Sequence, residues 1–358
     1  MTAMPSAIIA GSGSEIAKNR ITNEVLSRVL DTNDAWIRER SGVETRYFVD
    51  AGTSTSDLGV IAAERAIEDS KVAKEEIDLV ISATMTPDFF FPGNSGIYQT
   101  RLGLRQIPCF DIRQQCAGFL YGLQLADAHI RSGLAGTVLL VGAEVHTGFM
   151  PFSPRTWDVV YGRDPGPVSP EDFEWNSRFR HLLVLFGDGA AAVVVKAHHD
   201  EDDRGIVESI LCGDGRDLDK LYVPGTGFRF RPYTGAEQFA RGDHVPVMDG
   251  RAVFKMATTK MIEVATEVMK RHNVGVADLS LVLMHQANKR INEYCAKQLG
   301  IPPGKVVHNI ERYGNTTAAT IPLLYDEAAR AGRVKKGDLI LMVAFGAGMN
   351  WGATLMRA

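Results

Sequence analysis

Short, wholly apolar runs alternate with longer stretches of helical periodicity along the chain. The runs TVLLVG from Thr137, AAAVVV from Ala190 and LILMVA from Leu339 are unbroken by polar residues, as expected of central strands covered on both faces. Between them, apolar residues recur at helical spacing, for instance from Gly122 to Ile130 and from Leu323 to Arg330. This alternation predicts an α/β fold.

The pattern also repeats. Leu102-Gly103, a strand ending at Ile112, Cys116, a helical run, Ser132-Gly133 and a strand from Thr137 follow one another in the front of the chain. Leu299-Gly300, a strand ending at Ile310, Asn315, a helical run, Ala331-Gly332 and the strand DLILMVAFG repeat that layout about 200 residues later. Upstream, IDLVISATMTP matches LSLVLMHQAN, which carries His285 at its end. Two similar halves are expected, 1–200 and 201–358, with an acidic joint from His199 to Arg204. The layout predicts that Cys116 and Asn315 hold nearly matched positions, each past a strand and at the start of a helix. A pseudo-twofold packing of the halves then brings both residues, with His285, to the centre.

One connection breaks the symmetry. From about Glu144 to Leu183 the front half carries an insertion rich in Pro, Gly and aromatic residues (145–183), where the back half has only the turn GAGMNWG. A loop of this length is usually functional. It is expected to cap a site, to join a subunit interface or to decorate the surface.

Composition narrows the function. The 358 residues suffice for two fused α/β halves, and the net charge of −4 points away from nucleic acid and anionic membrane surfaces. No apolar run approaches the ~20 residues needed to span a bilayer, and the first ten residues lack the basic start and apolar core of a signal peptide. The four cysteines form no C-x-x-C pair, so no zinc or redox motif is indicated, and free thiols in a reducing cytoplasm are expected. Gly11-Ser12-Gly13 lacks the third glycine of a dinucleotide fingerprint, Ile16 standing in its place, and no phosphate-binding G-x-x-x-x-G-K-[ST] occurs.

Three polar residues then stand out. Cys116 follows a strand and opens an amphipathic helix, where the helix field favours thiolate and should lower the thiol pKa. On its own it reads more readily as a buried structural cysteine. His285 closes an apolar strand, the end at which active sites of α/β sheets gather. It can donate to a developing oxyanion or act as base, or serve as a structural histidine. Asn315 can donate to the same oxygen, or cap the helix it precedes. The turn Phe345-Gly346-Ala347-Gly348 can offer the Ala347 N–H which, with the Cys116 N–H, makes an oxyanion hole.

The segments DTNDAWIRERSGVETRYF, DIRQQCAGF, HQANKRI, RYGNTTAATIPLLYDEA and AFGAGMNWGA together resemble β-ketoacyl-acyl-carrier-protein synthase III of the thiolase superfamily, from about Ile8 to the C-terminus. The resemblance implies a five-layered αβαβα fold, a homodimer and a Cys116–His285–Asn315 triad. It implies that Trp36, Arg40 and Asn288 bind coenzyme A. It further implies that Phe91 lines the partner's acyl pocket, and that Lys255, Lys289 and Arg290 dock an acidic carrier protein. No insertion residue is assigned to coenzyme A, because the family's further arginine falls where this chain departs from it. The implied reaction condenses an acyl-CoA primer with malonyl carrier protein and releases carbon dioxide, with no metal or other cofactor. Two alternatives are a specialised ketosynthase or acyltransferase of the same fold with a longer donor, and a non-catalytic acyl-CoA or carrier-protein binding module.

Overall fold

The structure is a computed structural model and describes residues 4–199 and 202–358. The middle of the expected joint, Asp200 and Glu201, lies outside the described residues.

The front of the chain supplies β1 (Ser6–Ile16), a hairpin of β2 (Asn19–Thr22) and β3 (Thr45–Phe48), then β4 (Leu79–Ala83), β5 (Cys109–Ile112), β6 (Thr137–Glu144) and β7 (Gly189–His198). The back supplies β8 (Gly205–Gly213), the small ribbon of β9 (Leu221–Tyr222) and β10 (Val247–Met248), then β11 (Leu281–Met284), β12 (Val306–Val307), β13 (Leu339–Gly346) and β14 (Asn350–Arg357).

Two five-stranded sheets result, ordered β1-β7-β6-β4-β5 and β8-β14-β13-β11-β12. Their pairing is the same. The first two junctions are antiparallel and the last two parallel. Every residue of β4, β6 and β13 is buried, which is why the runs from Thr137 and Leu339 are so strongly apolar.

Helices fill three layers around the sheets. Thr55–Ser70 covers the outer face of the front sheet, and Gly250–Arg271 with Lys289–Leu299 covers that of the back sheet. Between the sheets lie Gly118–Arg131 and Thr320–Arg330, which carry buried side chains on most of their surfaces. One hydrophobic cluster joins both sheets through this layer, including Leu120, Leu140, Leu283 and Met342. Gly122 allows the close approach, since a Cβ there would stand 2.4 Å from the Leu140 side chain. The αβαβα order is the fold implied by the resemblance.

The insertion is a folded subdomain. Its helices Pro154–Val160, Pro170–Arg178 and Arg180–Leu183 are short, and two start with Ser N-caps followed by Pro. Met150, Phe152, Val159 and Leu183 form a separate core with Leu26, Leu30, Ile37 and Phe48. Buried Arg46 joins the two parts, donating to Asn23 Oδ1 at 2.8 Å and to Val184 O at 2.9 Å.

Candidate active site

Cys116, His285, Asn315 and Ala347 line one cavity of about 840 Å³, together with Asn288 and Thr317. Cys116 lies in the 3₁₀ turn Gln115–Ala117, which runs straight into Gly118–Arg131 in the middle layer. The turn Thr317–Ala319 and the helix Thr320–Arg330 repeat this arrangement in the back half. Gln115 at φ 48° and Thr317 at φ 49° adopt the same left-handed conformation three residues before their helices. The structural counterpart of Cys116 is therefore Ala318, and Asn315 stands three residues earlier than the sequence layout suggested.

The residues around Cys116 are packed backbone to backbone. A Cβ on Gly346 would lie 2.9 Å from the Cys116 nitrogen and 3.0 Å from its Cβ. Only glycine fits there, and the next residue, Ala347, lines the same cavity at the β13–β14 turn.

His285 follows β11, and its N–H donates to Val343 O at 2.9 Å. The side chain is buried, and neither ring nitrogen has a protein hydrogen-bond partner. Buried polar groups are normally paired, so two orphan nitrogens facing a cavity mark a group kept for a ligand. Burial, aided by nearby His146, pushes the imidazole down to about 3. His285 is thus neutral and able to donate a hydrogen bond. Gln286 secures the turn after it through Met284 O at 2.8 Å.

Asn315 is held from both sides by main chain. Its N–H donates to Leu185 O at 2.8 Å, and its carbonyl accepts from the Gly187 N–H at 3.1 Å. Its Oδ1 accepts the Thr317 N–H at 2.8 Å. That bond fixes the amide orientation and leaves the Nδ2 donors for the cavity. The capping expectation is met in part, because the side chain does hold a local N–H.

The expectation of a depressed Cys116 pKa does not hold. Burial, reinforced by the nearby Glu144 carboxyl, pushes the thiol up to about 12. Desolvation outweighs the helix field, which a single turn of 3₁₀ helix separates from the sulfur. Glu144 itself is raised to about 7 by burial, against hydrogen bonds from Thr86, Met85 and Thr84. Cys116 and His285 are accordingly a neutral thiol and a neutral imidazole.

Of the residues implied for coenzyme A, Asn288 lines the cavity, and Arg40 and Trp36 adjoin it through Asn288. Asn288 caps Lys289–Leu299 and donates from Nδ2 to Arg40 O at 2.8 Å. Arg40 and Trp36 share the helix Asp34–Ser41, with the guanidinium 4.8 Å from the indole centroid. Arg180, from the insertion, stands at the same 4.8 Å from that ring. Its Nη1 is tied to Asp31 O at 2.6 Å. Arg180 was missed because nothing in its local sequence relates it to Trp36. Only the folding of the insertion against residues 21–48 does so.

The remaining residues lie apart. Phe91 does not line this chain's cavity and is 77% exposed, whereas Phe90 does line it. Lys255 and Arg290 are exposed on neighbouring helices. Lys289 is engaged by Glu311 at 2.7 Å. Among the described residues, no group of three or more His, Cys, Asp or Glu side chains is placed to hold a metal ion.

Fold and site together define an acyl-transferring enzyme of two-sheet α/β architecture, in which a buried cysteine sits among uncharged hydrogen-bond donors. Residues 110–163 match the family 3-oxoacyl-[acyl-carrier-protein] synthase III, and residues 269–358 match its C-terminal part. The chain is 40% identical to the β-ketoacyl-[acyl-carrier-protein] synthase III of Rhodospirillum rubrum, over 98% of each chain. The chain belongs to the β-ketoacyl-[acyl-carrier-protein] synthase III family. The structure of the synthase III of Aquifex aeolicus VF5 is similar at TM-score 0.83 and 36% identity, covering 98% of this chain and 100% of that one. The priming β-ketosynthase of the R1128 polyketide pathway also has TM-score 0.83, at 28% identity, covering 100% and 97%.

Proposed function

We propose that the chain condenses an acyl-CoA primer with malonyl carrier protein through an acyl-Cys116 intermediate, releasing carbon dioxide. The observation that carries this reading is the meeting of Cys116, His285 and Asn315 in one cavity.

In the first half-reaction the Cys116 sulfur attacks the thioester carbonyl as its proton passes to His285. A buried thiol at about 12 needs that acceptor at the moment of attack. The tetrahedral oxyanion takes hydrogen bonds from the Cys116 and Ala347 N–H groups. The S–C bond to coenzyme A then breaks, and the leaving thiolate recovers the proton from His285. His285 is neutral again for the second half-reaction.

In the second half-reaction His285 and Asn315 Nδ2 donate to the thioester oxygen of the malonyl group. The bond to the carboxylate breaks, carbon dioxide leaves, and its electron pair becomes an enolate. The enolate carbon attacks the acyl-Cys116 carbonyl, and the S–C bond breaks to release 3-oxoacyl carrier protein. Cys116 leaves as thiolate and regains a proton from solvent. The thioesters provide the leaving groups, so the chemistry calls for no metal or redox cofactor.

Trp36, Arg40, Arg180 and Asn288 hold coenzyme A in this reading. The planar guanidinium and indole groups suit a purine, and the positive charges suit phosphates. Exposed Lys255 and Arg290 meet the acidic carrier protein. A cytoplasmic homodimer completes the proposal. Edge strand β5 and its exposed Phe110 are open for pairing with a second copy, and Phe91 reaches towards that copy's acyl pocket.

A second reading has one specific support. The cavity wall carries Leu221, Val223, Met248, Val253, Met261 and Phe345, an apolar surface suited to a primer longer than acetyl. One assay addresses both readings. Protein pre-acylated with CoA thioesters of increasing length is mixed with malonyl carrier protein, and carbon dioxide is measured. Release with formation of 3-oxoacyl carrier protein is expected. Acylation without carbon dioxide would replace the condensation by plain acyl transfer, and no acylation by any primer would leave only a binding module.

A further inference from the structure

His146 is buried beneath the site without lining the cavity, and the mechanism above gives it no task. Its surroundings fix its state. Nδ1 lies 2.9 Å from Gly187 O, and a carbonyl only accepts, so Nδ1 carries the proton. Nε2 is then a lone pair, and its partner is the hydroxyl of Thr317. The ring is stacked on Phe186 at 4.6 Å, and the His146 main-chain N–H donates to Asp188 Oδ1 at 2.6 Å. Asp188 Oδ1 also stands 3.9 Å from Nδ1, and burial raises its carboxyl to about 7.

Thr317 supplies a second, independent observation. It holds φ 49°, a conformation that β-branched residues rarely adopt. Strain of this kind persists where surrounding contacts over-determine it. Here the Thr317 Oγ1 donates to His146 on one side, and the Thr317 N–H donates to Asn315 Oδ1 at 2.8 Å on the other. The left-handed turn lets one residue face both ways.

We infer that His146 and Thr317 form a positioning pair that locks the Asn315 carboxamide with its Nδ2 donors towards the substrate oxygen. Neither residue need touch the malonyl group. The Gly187 carbonyl sets the His146 tautomer, the imidazole holds the Thr317 hydroxyl, and the Thr317 N–H fixes the end of the amide that must not face an oxyanion. Were the amide to turn over, its Oδ1 would meet the developing negative charge.

The inference rests on the proposed condensation, so its test separates the half-reactions. His146→Leu, Thr317→Val, Thr317→Ser and the double variant H146L/T317V are compared for Cys116 acylation and for decarboxylation of malonyl carrier protein. H146L and T317V should lose about 10-fold or more in decarboxylation kcat, the scale of lost supporting hydrogen bonds at a site. Acylation rate and KM for malonyl carrier protein should stay within about twofold. T317S should restore most of the rate, and the double variant should be no slower than the slower single. Acylation falling in step with decarboxylation, multiplying losses in the double variant, or a T317V protein as fast as wild type would overturn the inference. If H146L does not fold, the T317V and T317S pair decides alone. Should wild type acylate but release no carbon dioxide, the proposed function fails. Crystal structures of T317V then judge the pair: a turned or disordered Asn315 amide supports it, and an unchanged amide refutes it.

Discussion

In the proposed mechanism Cys116, His285 and Asn315 divide the labour between two half-reactions, and single substitutions test that division. Asn315→Ala is expected to keep acylation of Cys116 and to lose about 10²–10³-fold in decarboxylation, as for removal of one oxyanion donor, whereas His285→Ala, which also removes the proton acceptor of the first half-reaction, should slow both. Equal losses in both half-reactions for Asn315→Ala, or full acylation by His285→Ala, measured in single turnovers, would contradict the assigned roles. The raised thiol pKa makes a further prediction. With the thiol at about 12 and the imidazole at about 3, no thiolate–imidazolium pair exists in the resting protein. Alkylation of Cys116 by iodoacetamide should therefore rise with pH from 6 to 10 without a plateau, because only the growing thiolate fraction reacts. A plateau near neutrality would show that an ion pair forms. That the three residues share a cavity was legible in the sequence, because each follows a strand or precedes a helix in one of two similar layouts, although Asn315 lies three residues off the expected match. The thiol pKa was not, since burial and Glu144 act through packing that no local pattern records. His146 and Arg180 were equally silent, because their partners lie in distant segments.

Among the elements, the 185–187 segment and the turn before Asn315 form one unit. A Cβ on Gly314, at φ 67°, would stand 2.5 Å from Leu185 O. Gly314→Ala should therefore displace Asn315, lowering decarboxylation at least 10-fold together with the Tm, and steady-state assays with calorimetry would check it. Arg46 plays the corresponding part for the insertion. It is buried, held down to about 9 by burial, and bonded to Asn23 and Val184. Arg46→Ala should destabilise by about 3 kcal/mol in denaturant unfolding, because it orphans several buried acceptors. A loss below about 1 kcal/mol would mean that the insertion docks by its apolar core alone. The long central strands could be read from their apolar runs, whereas the strand expected to end at Ile310 is only Val306–Val307, and Ile310 opens a short helix. The insertion could be bounded but not placed, since its short helices depend on a core shared with residues 21–48.

At the scale of the whole molecule, the two sheets repeat one order and one pattern of pairing, so the site falls where their halves meet. The repeat explains why a front-half sulfur and two back-half donors share a cavity. It also leaves β5 as an edge with Phe110 39% exposed. Sedimentation should give a particle of twice 39.1 kDa for the wild type, shifted towards 39.1 kDa by Phe110→Glu. A wild-type monomer would remove the proposed contribution of Phe91 to a neighbouring pocket. Above all these stands the claim that Cys116 carries the acyl group. Intact-mass and peptide-mass spectra after mixing with an acyl-CoA test it directly. One acyl group per chain on the Cys116 peptide, absent in Cys116→Ala, is predicted. An unmodified chain, or the acyl group on Cys109, Cys212 or Cys295, would contradict the account.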